Sequence, residues 1–296
     1  MLWQDLREEE FEEAIRRSKG LCILPMGCLE KHAQHLPVGT DYYTSALVAR
    51  LASEIEDAVV FPVGFWLGDV TGSHANRSPE KRNKRGFVGL NTKTMLRTME
   101  ALCDEIGRNG FDKILIFNGH GGSRDLIRTF IKEQTRKNKP YTTFYSGSKD
   151  GAGCQPEPFL KEITEHREEY PMITDTDIAV MQSWVPTGYQ GGHANFLETA
   201  YIFGERPDLV RPDKYYAEDG LDNHRTDYLS KLGIGMKGAW SLRFPNTYSG
   251  AAPHGCSQSI GEAMIKIHVK RAVRVFRTVK NGCHSEQAQR VEESVI

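Results

Sequence analysis

The chain has 296 residues, 39% hydrophobic and 26% charged, with a formal net charge of −1. That is enough chain to bury a large core in one domain. Near-neutrality argues against broad electrostatic capture of nucleic acid or of an acidic membrane surface. No apolar run approaches the ~20 residues that span a bilayer, and the acidic start, Met1 to Glu10, lacks the apolar stretch of a signal peptide. The expectation is a cytoplasmic protein with a small-molecule partner and no nucleic-acid or membrane partner. Six cysteines (Cys22, Cys28, Cys103, Cys154, Cys256 and Cys283) are scattered without a Cys-x-x-Cys pair, the pattern of free thiols. Cys28 could reach a metal, but a small packing residue below a loop is the simpler reading.

In chain order, Leu21-Cys-Ile-Leu-Pro-Met26 reads as a buried strand. A helix follows over about 42–55, with Leu47, Val48, Leu51 and Ile55 on one face. Residues 59–63 read as the next strand. The stretch 92–108 reads as a helix with Met95, Leu96, Met99, Leu102, Cys103 and Ile106 as its apolar stripe. Lys113-Ile-Leu-Ile-Phe-Asn118 is the clearest buried parallel strand, with a helix after it over 123–137 and a further strand over 141–145. A helix near 198–203 and a C-terminal helix over about 260–278 complete the pattern. On the latter, Lys266, Lys270, Arg274 and Arg277 are most simply a solvated face. Strand, loop and helix in repetition imply an α/β fold, a three-layer α-β-α sandwich around a mostly parallel sheet. One domain is expected over 1–296, with surface insertions at about 67–89 and 146–170. Right-handed crossovers place the loops after Met26 and after Asn118 at the same edge of the sheet.

Those loops carry chemistry. Glu30-Lys-His32-Ala-Gln-His35-Leu-Pro-Val-Gly-Thr-Asp41 offers carboxylate oxygens and imidazole nitrogens, a donor mixture suited to zinc, manganese or iron. Asn118-Gly-His120-Gly121-Gly122-Ser123 follows a strand directly, and its glycines let the backbone turn sharply and approach a ligand. Alone, His120 reads as a buried, satisfied histidine; at the same sheet edge as the first motif it becomes a ligand candidate. The third motif is Gly192-His193-Ala-Asn-Phe-Leu-Glu198-Thr. Alone, its histidine is a loop residue and Glu198 a helix cap.

On these three motifs, in this order and spacing from about Leu21 to the C-terminal helix, the chain resembles the creatininase family of metal-dependent hydrolases. The resemblance implies a two-metal centre and a homo-oligomer, a hexamer among the options. It implies Glu30, Asp41 and His120 as ligands of one metal and His32 of the other, with Asp41 bridging. Creatininase itself has a glutamate where this chain has Gly122, which offers no side-chain ligand; Glu198 is the candidate replacement. Tyr189 stands where creatininase has a tryptophan that closes over creatinine, and it is expected with Gly121 and Gly122 to line the substrate site. Lys84-Arg85-Gly86-Phe87-Val88-Gly89 and Ser123 also depart from the family pattern, which makes creatinine itself an unexpected substrate.

A bound divalent cation lowers the pKa of its water from 15.7 to about 7, a source of nucleophile near neutrality. One or two such ions per chain are expected. His193 is the candidate proton donor to the leaving group, Glu198 either a ligand or the group that orients it, and His35 a supporting residue outside the ligand set. The leading expectation is hydrolysis of an amide-type C–N bond in a small, cyclic substrate. A deformylase is an alternative on the same centre. So is a ring-opening hydrolase of a cyclic sugar or inositol ketone, with hydroxyl contacts from Asn76, Asn83, Asn91, Gln190 and the basic stretch 77–85. A non-catalytic metal-binding protein is the alternative of another class.

Overall fold

The computed structural model describes residues 1–62, 64, 67–68, 86–147, 156–185, 192–236 and 239–282. Its centre is a four-stranded, all-parallel sheet in the order β2-β1-β3-β4. The strands are β1 Leu21–Met26, β2 Val59–Val60, β3 Lys113–Asn118 and β4 Thr142–Gly147. Around it lie α1 Phe11–Ser18, α2 Thr40–Ile55, α3 Thr92–Arg108, α4 Arg124–Gln134, α5 Pro156–Glu165, α6 Asp175–Trp184, α7 Phe196–Glu205 and α8 Gln258–Asn281.

Alternation along the central strands divides the core. Leu21, Ile23, Leu115 and Phe117 pack with Val48 of α2, Phe159 of α5, Ala200 of α7 and Phe276 of α8. Cys22, Leu24, Ile114 and Ile116 face the other way, against Met99 and Cys103 of α3 and Ile127 and Phe130 of α4. Successive strand side chains point to opposite faces, so strands apolar on both need helices on both. The result is the three-layer α-β-α fold read from the sequence. Side-chain caps start the helices locally: Asn91 accepts from the Thr94 N–H at 3.0 Å before α3, and Ser257 from the Ile260 N–H at 3.3 Å before α8.

The register positions the site. Met26 and Asn118 are partners at the ends of β1 and β3, so the chain leaves both strands at one edge of the sheet. There the Gly119 N–H donates to the Met26 carbonyl at 2.8 Å. Glycine is required at 119, because a Cβ would run into the carbonyl oxygen of Asp41. That close approach brings the start of α2 against the loop after β3.

Two sequence expectations need correction. The second strand stops at Val60 instead of reaching 63; Pro62 has no N–H to extend the ladder. Helix α2 begins at Thr40, so Asp41 lies in its first turn and not in the preceding loop. In the 146–170 stretch the described part forms α5, and Phe159, Ile163 and Tyr170 are fully buried. The basic face of α8 is solvated as read, with Lys266, Arg274 and Arg277 exposed, while Lys270 pairs with Glu169 and lies 5.1 Å over the Tyr170 ring. Most of 67–89 lies outside the described residues.

Where α7 crosses α8, Gly261 faces the Ala200 carbonyl oxygen and the backbone of Gly204 at distances that leave no room for a Cβ. Gly261→Ala is expected to destabilise the fold by about 1–3 kcal/mol through forced separation of the two helices, measured as a lowered midpoint in urea denaturation.

Candidate metal centre

Three segments meet at the sheet edge where β1 and β3 end. The loop after β1 is closed by the Glu30 N–H donating to the Val38 carbonyl at 3.0 Å, and it carries Glu30 and His32. The first turn of α2 supplies Asp41. The loop after β3 supplies His120, braced by Asn118, whose Nδ2 donates to the His120 carbonyl at 2.6 Å while its Oδ1 accepts from the His120 N–H at 3.2 Å. Before α7 comes His193, its backbone bridged in antiparallel fashion to Ser249, and in the first turn of α7 comes Glu198. Ala194 adopts a left-handed φ of 58°, and its N–H donates to Glu198 Oε2 at 2.6 Å.

These side chains form overlapping donor groups whose ligating atoms all lie within 4.8 Å of one another: Cys28, Glu30, Asp41 and His120; His32, Asp41 and Glu198; and Glu30, His32 and His193. Asp41 belongs to the first two. Its Oδ2 is 2.8 Å from His120 Nδ1, and its Oδ1 is 3.6 Å from His32 Nε2. Glu30 Oε1 lies 3.1 Å from His120 Nδ1 and 3.4 Å from His193 Nδ1. Glu30, Asp41 and Glu198 are all buried.

Tautomers follow from the carbonyl partners, because a carbonyl only accepts. His32 Nδ1 donates to the Glu30 carbonyl at 3.1 Å, which aims Nε2 between Asp41 and Glu198. Fully buried, Nε2 has no hydrogen-bond partner and is 3.5 Å from Glu198 Oε2. A fully buried imidazole nitrogen set between two carboxylates marks a place for positive charge, which a proton or a divalent cation can fill. The donor set therefore fits such an ion. His193 Nε2 donates to the Lys31 carbonyl at 2.6 Å, and its ring stacks on His32 with centroids 4.0 Å apart.

The titration pattern reports a pocket that attracts positive charge. Burial works against a charged His32, but Glu198 and Asp41 overcome it and raise its pKa to about 9. Burial likewise opposes charge on His120, yet Cys28, Glu30 and Asp41 drive it well above the ordinary value. Burial would raise Glu30, but the charges of His120 and His193 hold it at about 2. His193 goes the other way: burial, aided by neighbouring His32, lowers it.

Of the sequence candidates, Glu30, His32, Asp41, His120, His193 and Glu198 come together. His35 lies apart from the three groups, 3.1 Å from the Thr199 hydroxyl and edge-on to Tyr215 and Tyr248, and burial lowers its pKa to about 4. Gly121 and Gly122 are exposed in the short turn Gly121–Ser123, and a Cβ at Gly121 would meet open space. Tyr189 lies outside the described residues, as do Asn76, Asn83, Gln190 and the basic stretch 77–85.

Other neighbours had no sequence signal. Trp240, partly exposed, packs edge-on to His193 with ring centroids 5.3 Å apart. Lys31, between the motif residues Glu30 and His32, forms a half-buried ion pair with Glu218, Nζ to Oε1 2.5 Å. Only the fold brings residues so distant in sequence together.

Comparisons with known proteins bear on the family and the fold. A family model described as creatininase, creatinine amidohydrolase, matches residues 4–276. A creatinine amidohydrolase from Pseudomonas putida is 24% identical over 216 residues, 71% of this chain and 74% of that protein. Among solved structures, a glutamate-to-glutamine mutant creatininase of the Zn-Zn type superposes with a TM-score of 0.61 at 20% identity, covering 93% of this chain and 96% of that one. A creatininase structure described as Mn gives 0.61 at 18% identity, covering 93% and 97%. At such identities the structures show a shared fold.

Any cation that takes His32 Nε2 must displace the proton held there below about pH 9. The sign is therefore that apparent metal affinity falls as pH falls, by up to roughly tenfold per pH unit between 9 and 6 for this one competing proton. Calorimetric titrations at several pH values, with proton release measured from buffers of different ionisation enthalpy, check this.

Proposed function

The chain belongs to the creatininase family and is a metal-dependent hydrolase of the amidohydrolase type; on that premise we propose that it cleaves an amide-type C–N bond in a small, cyclic molecule. The observation that carries the reading is the fully buried His32 Nε2, without a hydrogen bond and set between the Asp41 and Glu198 carboxylates, beside a second donor group that shares Asp41. In this reading Glu30, Asp41 and His120 hold one divalent ion. His32 and Glu198 hold a second, with Asp41 common to both. Glu198 thereby supplies the carboxylate that Gly122 lacks. Zinc, manganese and iron all suit the nitrogen and oxygen donors. When bound, such ions lower the pKa of water toward 7 and polarise a carbonyl group.

The chain's own groups complete the chemistry. His193 is anchored through Nε2 on the Lys31 carbonyl, so Nδ1 is the nitrogen available to the reaction. Burial favours its neutral form, which can take up the proton released by the attacking water. The same nitrogen then delivers that proton to the departing amine nitrogen. Glu30 Oε1, 3.4 Å away, stabilises the imidazolium between these transfers. Trp240 beside His193 offers a flat apolar wall suited to a small ring.

The test combines metal content and turnover on one set of proteins. Elemental analysis is expected to find about two metals per chain in the wild type and about one in Glu198→Ala. One metal in both would leave a mononuclear site. His193→Ala is expected to keep its metal while losing on the order of 10²–10⁴ in turnover, measured on a panel of cyclic amides, formamides and cyclic ketones. Activity confined to the formamides or the ketones would replace cyclic-amide hydrolysis with the corresponding chemistry. Loss of metal together with activity in His193→Ala would make His193 a ligand.

A further inference from the structure

We propose that Cys28 is a metal ligand, the fourth donor of the group formed by Glu30, Asp41 and His120, which makes that half of the centre a sulfur-containing site. The inference rests on the metal-centre reading above and adds to it a donor of different chemistry. Cys28 is fully buried. Its Sγ lies with the ligating atoms of Glu30, Asp41 and His120 inside one 4.8 Å group, and the thiol donates to Asp41 Oδ2 at 3.2 Å. That oxygen is the one 2.8 Å from His120 Nδ1, so sulfur, carboxylate and imidazole face one another at a single point.

The backbone holds the sulfur there. Gly27 sits so close to the backbone of Tyr42 that a Cβ would collide with it, and Gly68 is packed equally tightly against the Cys28 Cβ. Residue 28 is therefore wedged between the start of α2 and the chain at 68. The independent sign that this pocket is built for a cation is the orphaned His32 Nε2 of the adjoining group. As a mere hydrogen-bond donor to Asp41 a thiol is weak; as a ligand it is strong and soft.

On coordination the thiol gives its proton to solvent and a sulfur lone pair to the cation; the S–H bond breaks, the metal–sulfur bond forms, and no electron is transferred. The two halves of the centre then differ in softness. Sulfur, nitrogen and two carboxylates favour zinc, whereas His32, Asp41 and Glu198 offer nitrogen and oxygen only and accept a harder ion such as manganese.

Cobalt(II) tests this without reference to catalysis. Metal-free protein titrated with cobalt is expected to develop an intense near-ultraviolet sulfur-to-cobalt charge-transfer band. Cys28→Ser is expected to bind cobalt without that band. Its zinc affinity should fall by on the order of tenfold or more, with manganese affinity little changed. Cobalt bound by the wild type with no such band, or a band that persists in Cys28→Ser, overturns ligation by Cys28 and leaves the metal-centre reading intact. Failure of the wild type to bind cobalt, zinc or manganese at all overturns both.

Discussion

Three carboxylates buried side by side are the constraint on which the site depends. Glu30, Asp41 and Glu198 are each at most 3% exposed, where water cannot screen their mutual repulsion. Positive charge has to reach them from somewhere. Without a cation the imidazoles supply it, which is why burial fails to keep His32 and His120 neutral. The fold contributes as well. Asp41 and Glu198 occupy the first turns of α2 and α7, where free N–H groups and the helix dipole favour negative charge. Asn195, capping α7 by accepting from the Leu197 N–H at 3.1 Å, holds that first turn in place.

The scaffold and the cover of the site come from different parts of the chain. Parallel strands that end in register deliver Glu30 and His120 to one edge, a placement set by the ladder itself. The cover comes from the described residues of 218–236 and 239–250. It is fastened by the Gly220–Gly250 and His193–Ser249 bridges, by the Ala33 N–H to the Thr247 carbonyl at 3.3 Å, and by the Lys31–Glu218 pair. Ala33, Ala194 and Thr247 all take left-handed φ angles of 50–58°. Each costs about 1–2 kcal/mol for a residue with a Cβ, and all three lie where cover and metal loop are joined. Backbone strain concentrated at such a seam is sustained by the surrounding hydrogen bonds.

Much of this was legible in the sequence, for reasons that differ by element. β1, β3 and α3 are long and strongly patterned, and they form where the apolar spacing places them. The loop after β1 was legible because carboxylates and imidazoles at that spacing have few other uses. Glu198 stood out through its motif with His193, and the lack of a side chain at Gly122 made it the replacement ligand candidate. Illegible features share a cause: their partners are far away in sequence. Lys31 and Glu218 are 187 residues apart, and Trp240 reaches His193 across 47 positions. The helix at 156–165 was hidden because charges and prolines around it masked the period of Phe159 and Ile163. Left-handed alanines leave no mark at all, since glycine is the residue that advertises such a backbone.

Asp41 gives its two oxygens to different neighbours, Oδ2 to His120 and Oδ1 toward His32. One carboxylate thus closes both donor groups, and the two cannot be filled as independent compartments. A cation on one side withdraws electron density from the oxygen that faces the other, and adds its own repulsion across the shared group. On the proposed two-ion reading, the first ion bound would therefore weaken the hold of the other group on the second. On that same reading, a shortage of metal would show as protein that carries one ion, with Asp41 still facing the second group.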